Sequence, residues 1–463
     1  MSDHGSTVAS IRDAYARLPA DQPVRLRKST SNLFRFRSSA GGERLDVRGL
    51  DRVLSVDPHA RTADVQGMVT YERLVDATLA HGLMPLVVPQ LKTITLGGAV
   101  AGLGIESSSF RHGLPHESVL EMEVLTGDGR VVTARPEGEH ADLYRGFPNS
   151  YGSLGYALRL KIELQPVRPV VRLRHLRFSD AAGCAEALSE ICTDATADAT
   201  TDATADRTAG ATTPDFVDGT VFGPDELYLT LGEFVDAGPA TSDYTGQRIY
   251  YRSIREREVD HLSVRDYLWR WDTDWFWCSR AFGAQHPLVR RLWPRRWLRS
   301  DVYRRLVALD RRLRFSDRLG AARGRPPEEP VIQDVEIPVE RLAEFLDVFH
   351  RDVGIEPVWL CPLRLRDAHK WPLYPLEPDR LYVNVGFWST VPLAPGQPPD
   401  THNRLIERLV GELGGHKSLY STVHYTEEEF WERYDGVTYG ELKHRYDAGR
   451  RLPDLYEKCV RDR

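Results

Sequence analysis

Between Leu45 and Gln66 the chain alternates apolar and polar positions around Gly49 and Asp57-Pro58, the period of short strands joined by turns. The period then changes. Tyr71, Leu74, Val75, Thr78 and Leu79 recur at helical spacing, and Gly82 ends that helix. A strand-like run, LMPLVVP, is followed by a glycine-rich segment, TLGGAVAGLGIESSSFRHG, from Thr95 to Gly113. The run SVLEMEVLTGDGRVVTA predicts a hairpin, with Leu120, Met122 and Val124 on one face and Asp128-Gly129 in the turn. GSLGYALRLKIEL, Gly152 to Leu164, resumes as a strand. Short strands mixed with helices up to this point form an α+β pattern.

From Thr193 to Thr213 the text is low-complexity, TDATADATTDATADRTAGATT. Small polar residues and Asp bury too little surface to offset chain entropy, so a disordered insert is expected over 193–213. Residues 215–410 read as a second unit, with strands in DELYLTLGEFV, VIQDVEIP, PVWLCPLRLR and RLYVNVGFW. Its helix ERLAEFLDVFHR places Leu342, Phe345, Leu346 and Phe349 on one face. In the tail from 411, Thr426 with Glu429 three residues on predicts a capped helix start.

At 463 residues the chain is too long for one compact core, and two or three units are expected. The net charge of −6 argues against nucleic acid as a partner. The N-terminal stretch has no apolar core of a signal peptide, and no run of about 18 apolar residues occurs, so a cytoplasmic location is expected. Five scattered cysteines, none in a CxxC pair, indicate neither a disulfide framework nor a metal site.

The segment from Thr95 to Gly113 is where chemistry is expected. Gly97, Gly98, Gly102, Gly104 and Gly113 free the backbone N–H groups to approach an anion. Walker A spacing fails, because no Lys follows the glycines. The dinucleotide pattern GxGxxG also fails, since Ser107 stands where the third Gly belongs. Glu106 sits in the middle of this loop, where its carboxylate would repel a phosphate. Its side chain is therefore predicted to turn away and accept loop N–H groups or a hydroxyl of the bound ligand.

GGAVAGLGIESSSFRHGL followed by EMEVLTGDGRVV resembles the delta-24 sterol reductases, within the wider vanillyl-alcohol-oxidase-type group of FAD proteins. VIQDVEIP, EPVWLCPLRL, LYVNVGF and the tail SLYSTVHYTEEEFWERYDG…PDLYEKCV extend the resemblance in the same order along the sequence. It implies a two-lobed α+β fold. A PCMH-type FAD-binding domain would span 1–168, an inserted α+β cap 169–410, and a C-terminal segment 411–463 would return to the flavin. Ser29, Thr30, Ser31 and Asn32 would form a first phosphate cradle. Thr95, Gly97, Gly98, Gly102, Gly104, Ile105, Glu106, Ser107, Ser108 and Ser109, with His112 and Gly113, would form a second wall. Gly152 and Gly155 would close around the adenine. The first cradle offers no attachment histidine, so FAD is expected to be non-covalent. The membrane-anchored eukaryotic relatives carry an N-terminal transmembrane helix, and none is expected here.

The resemblance also assigns chemistry. The tail GGHKSLYSTVHY supplies His416, Lys417, Tyr420 and His424, and either Lys417 or His424 would face the flavin where negative charge develops. In VIQDVEIP, Gln333, Val335 and Ile337 share one face and Asp334 and Glu336 the other, with Gln333 expected to contact substrate or flavin. The implied reaction is reduction of a C=C bond in a sterol-like or isoprenoid lipid, with NADPH as donor and His424 or Tyr425 protonating carbon. An FAD-linked oxidase or dehydrogenase of an alcohol or sugar-lipid carbon is the alternative, and a flavin-fold protein that only binds a lipid or partner is the non-enzyme one. Between Arg290 and Arg318 eleven arginines face three acids, interleaved with Leu292, Trp293, Trp297, Leu298 and Tyr303. Such a stretch suits peripheral contact with an anionic membrane, or a solvated helix face.

Overall fold

The structure, a computed structural model, describes residues 4–31, 34–35, 44–200, 213–238, 240–313 and 326–461. Asn32, expected in the first cradle, lies outside the described residues, as do 201–212 of the Thr-Asp-Ala stretch. Two large antiparallel sheets organise the fold.

The first sheet runs Val53–Asp57, Thr62–Gln66, Gly155–Pro166, Val119–Thr126, Val131–Ala134, with Leu83–Pro85 also pairing to Gly155–Pro166. Gly155–Pro166 is central, and its alternate residues Leu158, Leu160, Ile162 and Leu164 are buried. The hairpin forms as predicted, with Gly129 at φ 84° in its turn. Leu120 departs from the expected face. The register slips between Val119 and Glu121, so a bulge turns Leu120 to solvent while Met122 and Val124 stay buried. The helix Tyr71–Leu79 has Thr70 as its N-cap, accepting from the Arg73 N–H, and buries Tyr71, Leu74, Val75 and Thr78.

The second sheet has eight strands in the order Val259–Ser263, Val170–Phe178, Glu226–Val235, Phe216–Gly223, Val358–Leu363, Tyr382–Pro392, Glu328–Pro338, His416–Lys417. Period-two alternation splits its residues between two faces. Val358, Leu360, Val335 and Ile337 pack with helices Ala181–Thr200, Leu342–Asp352 and Thr401–Glu412 through Leu188, Phe345, Phe349 and Val410. Trp359, Cys361 and Leu363 point the other way, into the core shared with the first sheet. The helix Ala181–Thr200 continues into the segment expected to be disordered, through Thr200. It runs on from the packed residues Cys184, Leu188 and Cys192, which anchor its first turns.

After residue 411 the backbone ties the two sheets together. His416–Lys417 adds an edge to Glu328–Pro338, and Ser421 bridges to Phe34. Thr426 and Glu429 form the expected capping box. Lys443 then donates to the Ser153 carbonyl at 2.8 Å. No helix among the described residues is long and apolar enough to cross a membrane.

Candidate active site

A cleft lies between the two sheets, lined by residues of both. One wall is mostly backbone: Thr95, Gly97, Gly98, Gly102, Gly104 and Ile105, continued by Gly152 and Gly155. Glycine is required there by close packing behind the wall. A Cβ on Gly97 would stand 2.6 Å from the Gly67 carbonyl oxygen, and one on Gly104 2.9 Å from Pro89 Cγ.

The opposite wall is aromatic. Trp275, Phe276, Trp359, Trp388 and Tyr420 line it, and Phe34 stacks on Trp275 at 5.8 Å. Trp275 and Phe276 sit in the left-handed region, at φ 47° and 59°. Two consecutive aromatic residues in that conformation cost about 1–3 kcal/mol each, strain that recurs at ligand sites. The loop is fixed by Asp218, which accepts from Trp271 Nε1 at 3.1 Å, Trp359 Nε1 at 3.3 Å and Arg270 at 2.9 Å.

These residues fit FAD. Lys28, Thr30, Ser31 and Thr95 bring an ammonium and hydroxyls to the cleft, suited to a diphosphate, and the exposed glycine backbone admits its close approach. The aromatic wall suits a flat ring system. Among the described residues lining the cleft there is no His or Cys to which a flavin could be linked.

The wall residues named from the sequence thus divide. Thr30, Ser31, Thr95, Gly97, Gly98, Gly102, Gly104, Ile105, Gly152 and Gly155 meet at the cleft; Ser29 is exposed beside it. Glu106, Ser107, Ser108 and Ser109 do not line it. They turn away and fasten the loop: Ser108 Oγ donates to the Leu86 carbonyl at 2.8 Å, and the Ser107 carbonyl accepts from Val217 N–H at 2.8 Å. Glu106 accepts from Arg270 at 3.1 Å and Ser107 Oγ at 2.7 Å, so its partners include a guanidinium and a neighbouring hydroxyl. Burial raises its pKa against the pull of Arg270, because one guanidinium serves both Glu106 and Asp218. His112 is away from the cleft, its pKa lowered by burial to about 3, and Gly113, at φ 68°, lies against the Glu117 carboxylate.

The expected chemical residues are elsewhere. Gln333 faces the helices and donates to Asn403 Oδ1 at 2.6 Å, because its side of the strand is the one packed on Thr401–Glu412. Lys417 is fully buried, donating to Glu407 at 2.7 Å and to the Thr422 carbonyl at 2.8 Å. His424 lies 3.5 Å from Asp400, and Tyr425 is buried beneath the Arg433 guanidinium. None of the four lines the cleft.

Asp334, Ser418 and Tyr420 line it instead. Burial raises Asp334 to about 7, although the Asn384 and Tyr420 side chains beside it favour the ionised form. Tyr420 OH accepts from Trp388 Nε1 at 2.9 Å, and its own pKa is pushed far up by burial and by Asp334. Two residues along the strand, Glu336 is raised by burial to about 8 and accepts from Ser418 Oγ at 3.2 Å. Asp334 and Tyr420 were both in view in the sequence, inside VIQDVEIP and SLYSTVHY; period-two alternation put Asp334 opposite Gln333, but which face met the cleft was not readable.

Residues 4–135 match the FAD binding domain family. Over 430 residues, 88% of this chain and 76% of the relative, the protein is 27% identical to the Delta(24)-sterol reductase of Homo sapiens. It is 25% identical to the Delta(24)-sterol reductase homolog of Caenorhabditis elegans over 88% of this chain and 77% of that one. The Delta(24)-sterol reductase of Arabidopsis thaliana is 25% identical, over 90% and 77%. The glycine-walled cleft and the matched domain together define an FAD-dependent oxidoreductase. Within that class the protein is similar to the Delta(24)-sterol reductases along most of its length.

Proposed function

We propose that the protein reduces an isolated C=C bond in a sterol-like or isoprenoid lipid, with NADPH as electron donor and non-covalent FAD. The second sheet and its helices act as a cap over the flavin. The observation that carries this is the position of Asp334, a carboxyl kept protonated to about pH 7 in a cleft with one wall of glycine backbone and one of aromatic rings. The relatives' names supply the bond type and substrate class.

Bound in the cleft, FAD supplies hydride transfer. Saturating C=C takes one hydride and one proton, so that NADPH, H⁺ and the alkene give NADP⁺ and the alkane. Asp334 holds the proton at its carboxyl and releases it to one alkene carbon. Tyr420, beside Asp334 and anchored by Trp388, orients that carboxyl. Trp275, Phe276, Trp359 and Trp388 exclude water and accept an apolar lipid tail. Ser418 connects the cleft to Glu336, a second protonated carboxyl that can refill Asp334.

Turnover of a sterol carrying an isolated C=C bond in its aliphatic tail, with NADPH in D₂O, tests this. One solvent deuterium per product is expected, with loss of that product in Asp334→Asn. A product with no solvent deuterium sinks Asp334 as proton donor. A lipid substrate of this kind resides in membranes, so the enzyme must meet it at a lipid surface or on a carrier.

A further inference from the structure

The segment from Arg280 to Leu309 has two faces. Its inner face is anchored. Arg290 is buried and donates to Asp274 at 2.6 Å, and Arg299 reaches both Glu72 oxygens at 2.9 and 2.8 Å. Ser300 Oγ donates to Asp272 at 2.5 Å, and Tyr303 OH to the Thr273 carbonyl at 3.3 Å. These bonds brace the segment on the loop whose Trp275 and Phe276 line the cleft. Part of the basic run is therefore structural.

The outer face is different. Among the described residues eight large hydrophobics are exposed, and five of them, Leu288, Val289, Leu292, Trp297 and Leu309, lie in this one segment. Leu292 is 85% exposed and Leu288 68%, and the two are four apart on helix Pro287–Leu292, hence on one side of it. Trp297 follows in the next turn, 47% exposed.

The charge here reverses that of the whole molecule. Arg280 to Leu309 contains eight arginines and a single acid, in a protein of net charge −6. That acid, Asp301, is taken up by Arg299 and Arg305. Arg291 and Arg296 stand exposed beside Leu292 and Trp297. A second copy of the protein would bring arginine against arginine on this face, and a nucleic acid has no use for exposed leucines. Apolar tips flanked by guanidinium groups match the two layers of an anionic bilayer surface, acyl boundary and phosphate.

We infer that this face seats the protein on an anionic lipid bilayer, with Leu288, Leu292 and Trp297 entering the headgroup region and Arg291 and Arg296 meeting lipid phosphates. The loop that lines the cleft on one side is then held close to the membrane on the other. The inference adds to the proposed reaction the place where its substrate is met, and it stands on surface residues that the reaction does not use.

Vesicle flotation without any substrate tests it. Wild-type protein is expected to float with vesicles of phosphatidylcholine plus phosphatidylglycerol, and weakly with phosphatidylcholine alone. The double variants L292E/W297E and R291E/R296E are each expected to lower recovery on the anionic vesicles by about tenfold or more. Both should keep wild-type flavin content and melting temperature, since all four side chains are exposed. Equal wild-type recovery on the two compositions, no flotation at all, or wild-type recovery of the variants each overturns the inference. Reductase activity in detergent without flotation removes the surface and leaves the reaction; flotation without reductase activity does the reverse.

Discussion

Arg270 donates to Glu106 across 3.1 Å with both side chains buried, and so joins the glycine-rich loop to the aromatic loop of the opposite wall. Asp218 shares the same guanidinium. The acid that looked misplaced in a phosphate-binding loop is a structural partner, and the two walls of the cleft are held at their spacing by this cluster. Glu106→Gln should keep FAD with a melting loss equivalent to about 1–3 kcal/mol, because Asp218 still neutralises Arg270. Arg270→Met strands two buried carboxylates and should cost more, about 3–5 kcal/mol. Thermal unfolding of both variants checks the order; equal losses would remove the cluster as the tie.

The glycine wall gives a separate outcome. Gly97→Val and Gly104→Val place side chains into the Gly67 carbonyl and the Pro89 ring, forcing the wall backbone to move. Each variant should purify without visible flavin absorbance, even after added FAD. A yellow, folded Gly104→Val protein would show that the wall is not the flavin site.

The proton donor has a pH signature. Asp334 ordinarily titrates near 4 but is raised in the folded protein to about 7. Alkene turnover should therefore be flat at low pH and fall as pH rises through about 7, while flavin reduction by NADPH keeps its rate. Stability follows the same sign. The folded state holds a proton that the unfolded protein has released, so stability present below about pH 4 declines between there and about pH 7. Asp334→Asn should remove the Asp334 share of that decline, leaving the share of Glu336, and slow alkene turnover by about 10²–10⁴-fold.

Lys417 is predicted to be structural. Lys417→Met leaves Glu407 buried without its ion pair and should lower stability by about 3–5 kcal/mol. The folded fraction should still reduce its flavin with NADPH at the wild-type rate. A hundredfold slower flavin reduction in folded protein would return Lys417 to the cleft.

Much of the fold was legible because period alone fixes it. The helix at Tyr71–Leu79, the Asp128-Gly129 hairpin and the Thr426–Glu429 cap are local, and local residues decide them. The glycine wall was legible only through the family resemblance, which aligned Gly97, Gly98, Gly102 and Gly104 along one ligand. The opposite wall was not. Trp275 and Phe276 reach the cleft through left-handed backbone that no aromatic residue advertises in sequence. Gln333 and Asp334 are adjacent and alternate, so one step of orientation decided which met the cleft, and helix Thr401–Glu412, far along the sequence, set it. Lys417 drew attention as a cation near the flavin, but its partner Glu407 lies on that same helix.

The most direct measurement is anaerobic stopped-flow mixing of the FAD-loaded enzyme in two halves. NADPH should bleach the flavin, and a sterol with an isolated C=C bond in its aliphatic tail should then restore its colour, with Asp334→Asn arrested at the second half alone. Bleaching by an alcohol substrate and none by NADPH would contradict the account and make the protein a dehydrogenase.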